Sequence, residues 1–546
     1  MAIDLAEELG KLQKKKHGQF YWLVFNLKVA MKEGVLRHKP LFTILGVVVL
    51  ISGFILRSLI QPGFIWLRMH TFDILLLATL VVGLRIIKRK LAEKGKRLRL
   101  LWRFTALVGV IFLMRIEAYN YMALYCRYRA LHEADLERLP LTAHERIQPI
   151  VSLRQLADGV MDQGKHPSEP DFVRIGENFR FTMAVEPDSE VTRLLGTIDE
   201  IIDLPGNSAS PDFSKENRHQ VGFAVGEHML LGKNSHAATT KTFGPFRFFS
   251  YRADDVRYLE NDNGEMVEVV SLSRLGGSWW SRWIFPWPEF GGVQVIHQSR
   301  GGWGHALHHV LFGDGEWIRP ENVAKYPFLK GQNLLPYDVS RYLAKSFRYE
   351  RGFMAPFPLY HRGDTIIPEL PDDKNEMPYT IYAEFGQKGD ERNKLYHYFA
   401  LEPWQYWQHG LTDSLFIPAD GIGPTVVYRH YLRGEGLIGV GAIASQVLGS
   451  DIHVDWGHAK PVEHRPWIHI VGGMPRLFWL TTIVVFDDKH REASRYSASS
   501  MPNIVLTDAR SGRSLWVKAN HPEGWEGEVT ASLSDILGNV PVVKKQ

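Results

Sequence analysis

The chain has 546 residues, 45% of them hydrophobic and 23% charged, which provides for several folded units and excludes a mainly disordered or fibrous polypeptide. A single cysteine, Cys126, excludes an intrachain disulfide framework and any metal site built from several thiolates. The net charge of +4 joins two unlike parts: residues 1–127 carry 21 Lys and Arg against 7 Asp and Glu, and the remainder carries 43 against 53, so nucleic acid is not an expected partner of the larger part.

Residues 1–38 read as a basic cytoplasmic tail, in which Phe20 to Leu27 (FYWLVFNL) has the composition of an interfacial helix or of a partner-binding one. Residues 39–125 read as a transmembrane region with spans at about 41–60, 71–87 and 100–121. The uncharged run from Leu41 to Leu56 carries the first span, whereas the second and third reach span length only if a few ionisable side chains are tolerated. Their connection, RIIKRKLAEKGKRLRLLWR from Arg85 to Arg103, is strongly basic and fits a cytoplasmic loop. Three spans with a cytoplasmic N-terminus put everything after about Tyr125 on the extracytoplasmic side, and the first span acts as an uncleaved signal anchor. One span followed by a cytoplasmic helical hairpin leads to the same side. No N-x-S/T acceptor occurs, which favours a bacterial inner membrane over a glycosylated eukaryotic surface.

Arg57, Asp73, Arg115 and Glu117 fall in the outer half of that region, two positive and two negative, and are expected to pair as a clamp between helices rather than to form an ion path. Residues 126–170 read as a helical stalk, with a short helix from Ser152 to Met161 capped by Ser152. Two α+β extracytoplasmic domains follow, 171–366 and 367–546. Strand patterns occupy Phe172 to Val185, Tyr379 to Leu401, Arg476 to Asp487 and Asn503 to Ala519. Hairpin turns are expected at Asp262-Asn263-Gly264 and at Arg510-Ser511-Gly512. The expected fold is therefore a membrane-anchored α+β protein: three N-terminal transmembrane helices followed by a large, mostly antiparallel-β extracytoplasmic region.

Four segments could carry chemistry. In HVDWGHAKPVEHRPWIH, His453, Asp455, His458 and His464 could close around an ion, and zinc would accept that nitrogen and oxygen set, although no cofactor is expected and histidines in loops are more often hydrogen-bonding groups. His305 and His309 stand at i, i+4, but Ala306 occupies the place of a zinc protease's glutamate. Gly434, Gly436 and Gly439 match a dinucleotide fingerprint with Asp455 downstream, yet no βαβ alternation surrounds them and a glycine-rich turn at a helix start is the simpler reading. Trp279, Trp280, Trp283 and Trp287 lie close together with Phe285 and Phe290, as core residues, as a surface for membrane or partner, or as a platform stacking on sugar rings. No nucleophile elbow occurs, and no catalytic residue can be named.

The expectation is a non-enzymatic, membrane-anchored structural or assembly subunit of an envelope or membrane protein complex. Its partners would be membrane lipid and other membrane or envelope proteins, in an oligomer or hetero-complex. The alternatives are an extracytoplasmic metal-dependent hydrolase using the His453 to His469 segment, and a transport or channel subunit using the four intramembrane charges.

Overall fold

The computed structural model describes residues 47–48, 51–91 and 121–517, apart from 177, 209–211, 215–216, 278–281, 283–284, 299–307, 310, 354–364, 369–376, 387–388, 404–409, 424–425, 433–434, 451–454 and 486–502. It is a mostly antiparallel β-sheet protein with some helices. The described residues up to Ile60 and those from Gln61 onward fall in separate units.

Helix α1 (Arg57–Met69) and helix α2 (Thr71–Leu91) meet at a sharp break. There the Thr71 hydroxyl donates to the Leu67 carbonyl at 2.9 Å, and the His70 ring lies 3.2 Å from the Asp73 carboxylate. A side chain that takes a carbonyl from the helix ladder favours bending. Among the described residues no single helix is long and apolar enough to cross a membrane; Arg57–Met69 and Asp73–Gly83 meet that condition only together, bent by 63°. The basic residues Arg85, Lys88, Arg89 and Lys90 close α2 and shorten its apolar part. The span expected at about 100–121 lies outside the described residues except for its last one.

The segment read as a stalk is helical at residues 121–129 and then contributes two short strands, β1 (Glu133–Asp135) and β2 (Leu141–Ala143). Helix α3 (Ile150–Gly159) starts two residues before the position expected for its cap. Ser152 therefore sits inside the helix, and Pro149 precedes it without a side-chain cap. The free backbone N–H of Ile150 is taken instead by the Glu463 carboxylate at 2.9 Å, a cap supplied from 313 residues away.

The first sheet holds β3 (Lys165–Pro167), β4 (Asp171–Ile175), β5 (Asn178–Pro187), β6 (Ile198–Pro205) and β7 (Arg218–Phe223), with β5 paired to β3, β4 and β6. Along β5 the side chains divide by parity. Phe179, Phe181, Met183 and Val185 pack with Leu153 and Ala157 of α3, while Ala184 faces the second sheet. A strand covered on both faces has no exposed row, which is why its apolar run is nearly continuous.

Helix α4 (Glu190–Leu195) joins β5 to β6, and α5 (Ser235–Thr242) and α6 (Pro245–Phe248) lead into the second sheet. That sheet runs β11 (Glu316–Ile318), β10 (Trp287–Ile296), β9 (Met266–Gly276), β8 (Tyr251–Glu260). The expected turn joins β8 to β9: Gly264 has φ 79°, and Asn261 accepts from the Gly264 N–H at 3.0 Å. In β9, Met266, Val270 and Leu272 face the first sheet, and Val267 and Val269 face a second core with Val293, Val295 and Leu329.

Helix α7 (Tyr337–Ser346) precedes the third sheet. It is built from β12 (Thr365–Ile366), β13 (Tyr379–Glu384), β14 (Lys394–Pro403), β15 (Asp413–Pro418) and β16 (Val426–His430), closed at its edges by β2 on β13 and by β1 parallel to β16. Helix α8 (Val440–Ser450) leads to the fourth sheet, a meander of β17 (Ala459–Val471), β18 (Met474–Val485), β19 (Asn503–Asp508) and β20 (Ser514–Val517). Gly472 and Gly473, with φ 59° and 80°, make the two-residue β17–β18 turn, where a left-handed backbone at both positions suits the strand twist. The third and fourth sheets share a core with α7 and α8 in which Trp479 is fully buried against Tyr398. Each large side chain removed from water in this way contributes about 1.5–3 kcal/mol.

Candidate functional site

Hairpin ends from three places in the fold border an open cleft of about 1170 Å³. The β4–β5 turn supplies Arg174, the β8–β9 hairpin supplies Glu260 and Asp262, and the β13–β14 connection supplies Glu384, Asp390 and Glu391. Lys330 and Gln332 come from the segment before α7. Gln332 is fixed by a two-way bond to the Arg174 backbone, accepting from its N–H at 2.9 Å and donating to its carbonyl at 2.6 Å. At the floor a buried ion pair ties β14 to the end of β15: Lys394 Nζ lies 2.8 Å from Asp420 Oδ1 and donates to the Ile422 carbonyl at 2.7 Å. Asp390 is held down to about 2 by hydrogen bonds from Arg392. The lining mixes charges of both signs with the rings of Phe179, Phe328 and Tyr382.

Two clusters of histidine and carboxylate bring three potential ligand atoms within 4.8 Å of one another. In the first, strand register does the work. His166 of β3 and Glu186 of β5 are direct partners, so their side chains emerge on one face. The third member, His228, comes from the turn after β7, where the Met229 N–H donates to the Gly226 carbonyl. Glu186 Oε2 accepts from the His228 backbone N–H at 2.9 Å, lies 3.0 Å from its Nδ1 and stands 3.8 Å from His166 Nε2. The hydrogen bond with Glu186 raises the His228 pKa, whereas burial lowers that of His166. Burial also raises neighbouring acids, Glu227 to about 7 and Glu268 to about 8.

In the second cluster, Asp413 of β15 and His430 of β16 are again register partners, 2.7 Å apart, and Glu350 completes the group. Burial raises the pKa of Asp413, and burial followed by the Asp413 charge raises that of Glu350.

The residues singled out in the sequence are dispersed. His453 is outside the described residues. Asp455 is exposed and 2.5 Å from His458 in a turn, whereas His464 is buried in β17 beside a bulge and bonded to Thr481 at 2.9 Å. Burial pushes the His464 imidazole down to about 4. Asp455, His458 and His464 are not among the groups whose ligand atoms converge, because β17 carries His464 into the core while the other two stay in the turn.

His309 is buried with Nδ1 3.0 Å from Asp314, and His305 is outside the described residues. Trp287, 4% exposed, opens β10 and donates to Glu289 at 2.8 Å, so it is a core residue; Trp279, Trp280 and Trp283 are outside the described residues. Arg57 lies over the Phe54 ring at 4.1 Å and Asp73 faces His70, while Arg115 and Glu117 are outside the described residues. At the fingerprint glycines, the start of α8 is filled from within. Gly441 N–H donates to Glu402 Oε1 at 2.7 Å, and a side chain at Gly439 would clash with that carboxylate. A buried acid therefore holds the helix end where a phosphate would sit.

His166, Glu186 and His228 share no recognisable spacing. The sequence did contain one signal, a glutamate closing the otherwise apolar run Phe181 to Val185, since a charge inside a buried strand needs a partner. Comparison with known proteins returned no matching family model, no matching curated protein and no matching solved structure.

Proposed function

We propose that the chain is a membrane-anchored structural or assembly subunit of an envelope or membrane protein complex, with a cytoplasmic N-terminus in a bacterial inner membrane. Its sheet region binds a partner protein through the cleft bordered by Arg174, Asp262, Lys330 and Glu391. The observation that carries this reading is the cleft itself. An opening of about 1170 Å³ that sets charges of both signs beside the rings of Phe179, Phe328 and Tyr382 has the mixed polar and apolar character of a protein–protein contact surface.

The anchor reading draws support from how α1 joins the second sheet. Gln61 is buried, donating to the Phe248 carbonyl at 3.0 Å and the Tyr251 carbonyl at 2.8 Å, and its own oxygen accepts from Thr240 at 3.2 Å. Arg68 donates to the Phe249 carbonyl at 2.9 Å. Beside this joint, Trp66 and Phe246 present exposed rings, the latter 91% accessible, as residues in contact with lipid would.

A photo-crosslinking side chain at Glu391, Asp262 or Lys330, in cells carrying the full-length protein, tests the reading. One discrete adduct with a membrane or envelope protein is expected from the cleft positions and none from exposed Met474 on the β17–β18 turn. Absence of an adduct from all three cleft positions would refute it.

A further inference from the structure

The cluster in the first sheet serves no part of the partner-binding reading, and of the two three-residue sets among the described residues it is the one with two imidazoles. We propose that His166, Glu186 and His228 bind one divalent transition-metal ion, with two imidazole nitrogens and one carboxylate oxygen as ligands.

Geometry is the first support. Metal–ligand bonds of about 2.0–2.2 Å in a tetrahedral site hold ligand atoms about 3.3–3.5 Å apart. Around Glu186 Oε2 the two separations are 3.0 Å to His228 Nδ1 and 3.8 Å to His166 Nε2, which bracket that value. Both rings keep some exposure, 31% and 20% of the side chain, so small rotations bring them onto one centre. They stand at 78° with centroids 5.5 Å apart, and neither blocks the other's approach.

An unsatisfied buried acid is the second and independent support. Glu186 is fully buried, and its Oε1 has no hydrogen-bond partner among the described residues. A desolvated carboxylate oxygen left unpaired is costly, and a cation bound to the same carboxylate offsets that cost. The chain is also shaped to bring the loop this close. A side chain at Gly226 would clash with Ile198 and stand 2.8 Å from Glu186 Oε1, so glycine lets the turn bearing His228 rest on the carboxylate.

Ligand type indicates the class of ion. Two imidazoles with one carboxylate suit zinc, iron or another first-row divalent metal rather than calcium or magnesium, which take oxygen ligands. Three protein ligands leave a position open for water or for a group from outside.

The test uses the full-length protein in detergent, stripped with chelator and titrated with Zn²⁺ by calorimetry, with native mass spectrometry for stoichiometry. One equivalent per chain is expected. His166→Ala and His228→Ala should each weaken binding at least about 100-fold, as should Glu186→Gln, while Asp455→Ala with His458→Ala leaves it unchanged. Far-UV circular dichroism and the metal-free melting temperature check that the variants fold; the His166 change removes a partly exposed ring from an edge strand and is the one read if another variant unfolds. Absence of stoichiometric zinc from the wild-type protein would overturn the proposal. So would binding that survives His166→Ala and His228→Ala, including binding lost instead on His430→Ala.

Discussion

Replacing Asp420 by alanine is the substitution whose cost follows most directly from the cleft's construction. The carboxylate accepts from Lys394 Nζ at 2.8 and 3.1 Å, from the Gly331 N–H at 3.1 Å and from the Ile422 N–H at 2.9 Å. Its side chain is 1% exposed and that of Lys394 10%. Asp420→Ala leaves an ammonium with the Ile422 carbonyl as its remaining described acceptor, and uncaps two backbone donors. Removing one member of a buried pair costs about 3–5 kcal/mol, and the exposed edge of the cleft admits some water, so about 3 kcal/mol is expected. Asp420→Asn keeps an acceptor for one backbone donor and should cost about 1 kcal/mol less. In Lys394→Met with Asp420→Asn both charges are gone, and the double variant should lose clearly less than the two single losses added together. Urea unfolding of the full-length protein gives the stability differences, and hydrogen exchange at the Gly331 and Ile422 amides locates them. A loss under about 1 kcal/mol for Asp420→Ala, or additive losses in the cycle, would show that the pair does not hold the floor together.

Gln61→Ala removes three described hydrogen bonds from a buried joint and should free α1 from the second sheet, seen as faster limited proteolysis between residues 69 and 71 with the β-sheet signal retained; unchanged cleavage would count against the joint. Gly439→Ala places a methyl group against the Glu402 carboxylate and should destabilise by about 1–3 kcal/mol in urea unfolding, with partial recovery in Gly439→Ala plus Glu402→Ala. Glu268 has its folded pKa raised by burial to about 8, so the native state holds a proton that the unfolded state has released, and stability falls as pH rises from its unfolded value toward 8. His464, pushed down to about 4, is neutral in the native state while its unfolded imidazole is still half protonated at about pH 6.5, so it opposes that fall, by only about 0.4 kcal/mol between pH 6.5 and 8. From pH 6.5 to 8 Glu268 should therefore contribute a loss on the order of 2 kcal/mol, to which Glu227, raised to about 7, adds, so Glu268→Gln should reduce the slope without abolishing it; an unchanged slope would contradict the assignment.

Local chemistry is what the sequence made legible. The turns at Gly264 and Gly512 depend on a few adjacent residues, and both form, with Gly512 at φ 71°. The apolar, β-branched runs from Phe172 and from Asn503 became paired strands for the same reason. Capping shows where that reasoning stops, because Glu463 reaches the start of α3 from another sheet and Ser152 is left unused. The metal set drawn from His453 to His469 was a set of neighbours in sequence, and a strand separates its members. The set that converges is joined by register between β3 and β5 and by a turn at Gly226, relations that spacing along the chain does not encode. Trp287 illustrates the remaining limit: a ring in an aromatic cluster is equally suited to core or surface until the sheet that covers it is known.

The central claim, that this chain is an anchored partner-binding subunit, is tested most directly by native mass spectrometry of the protein extracted gently from its own membrane. A complex with at least one other membrane or envelope protein at fixed stoichiometry is expected, weakened when Glu391 and Asp262 are both changed to lysine. A lone chain released without partners, unaffected by those changes, would contradict it.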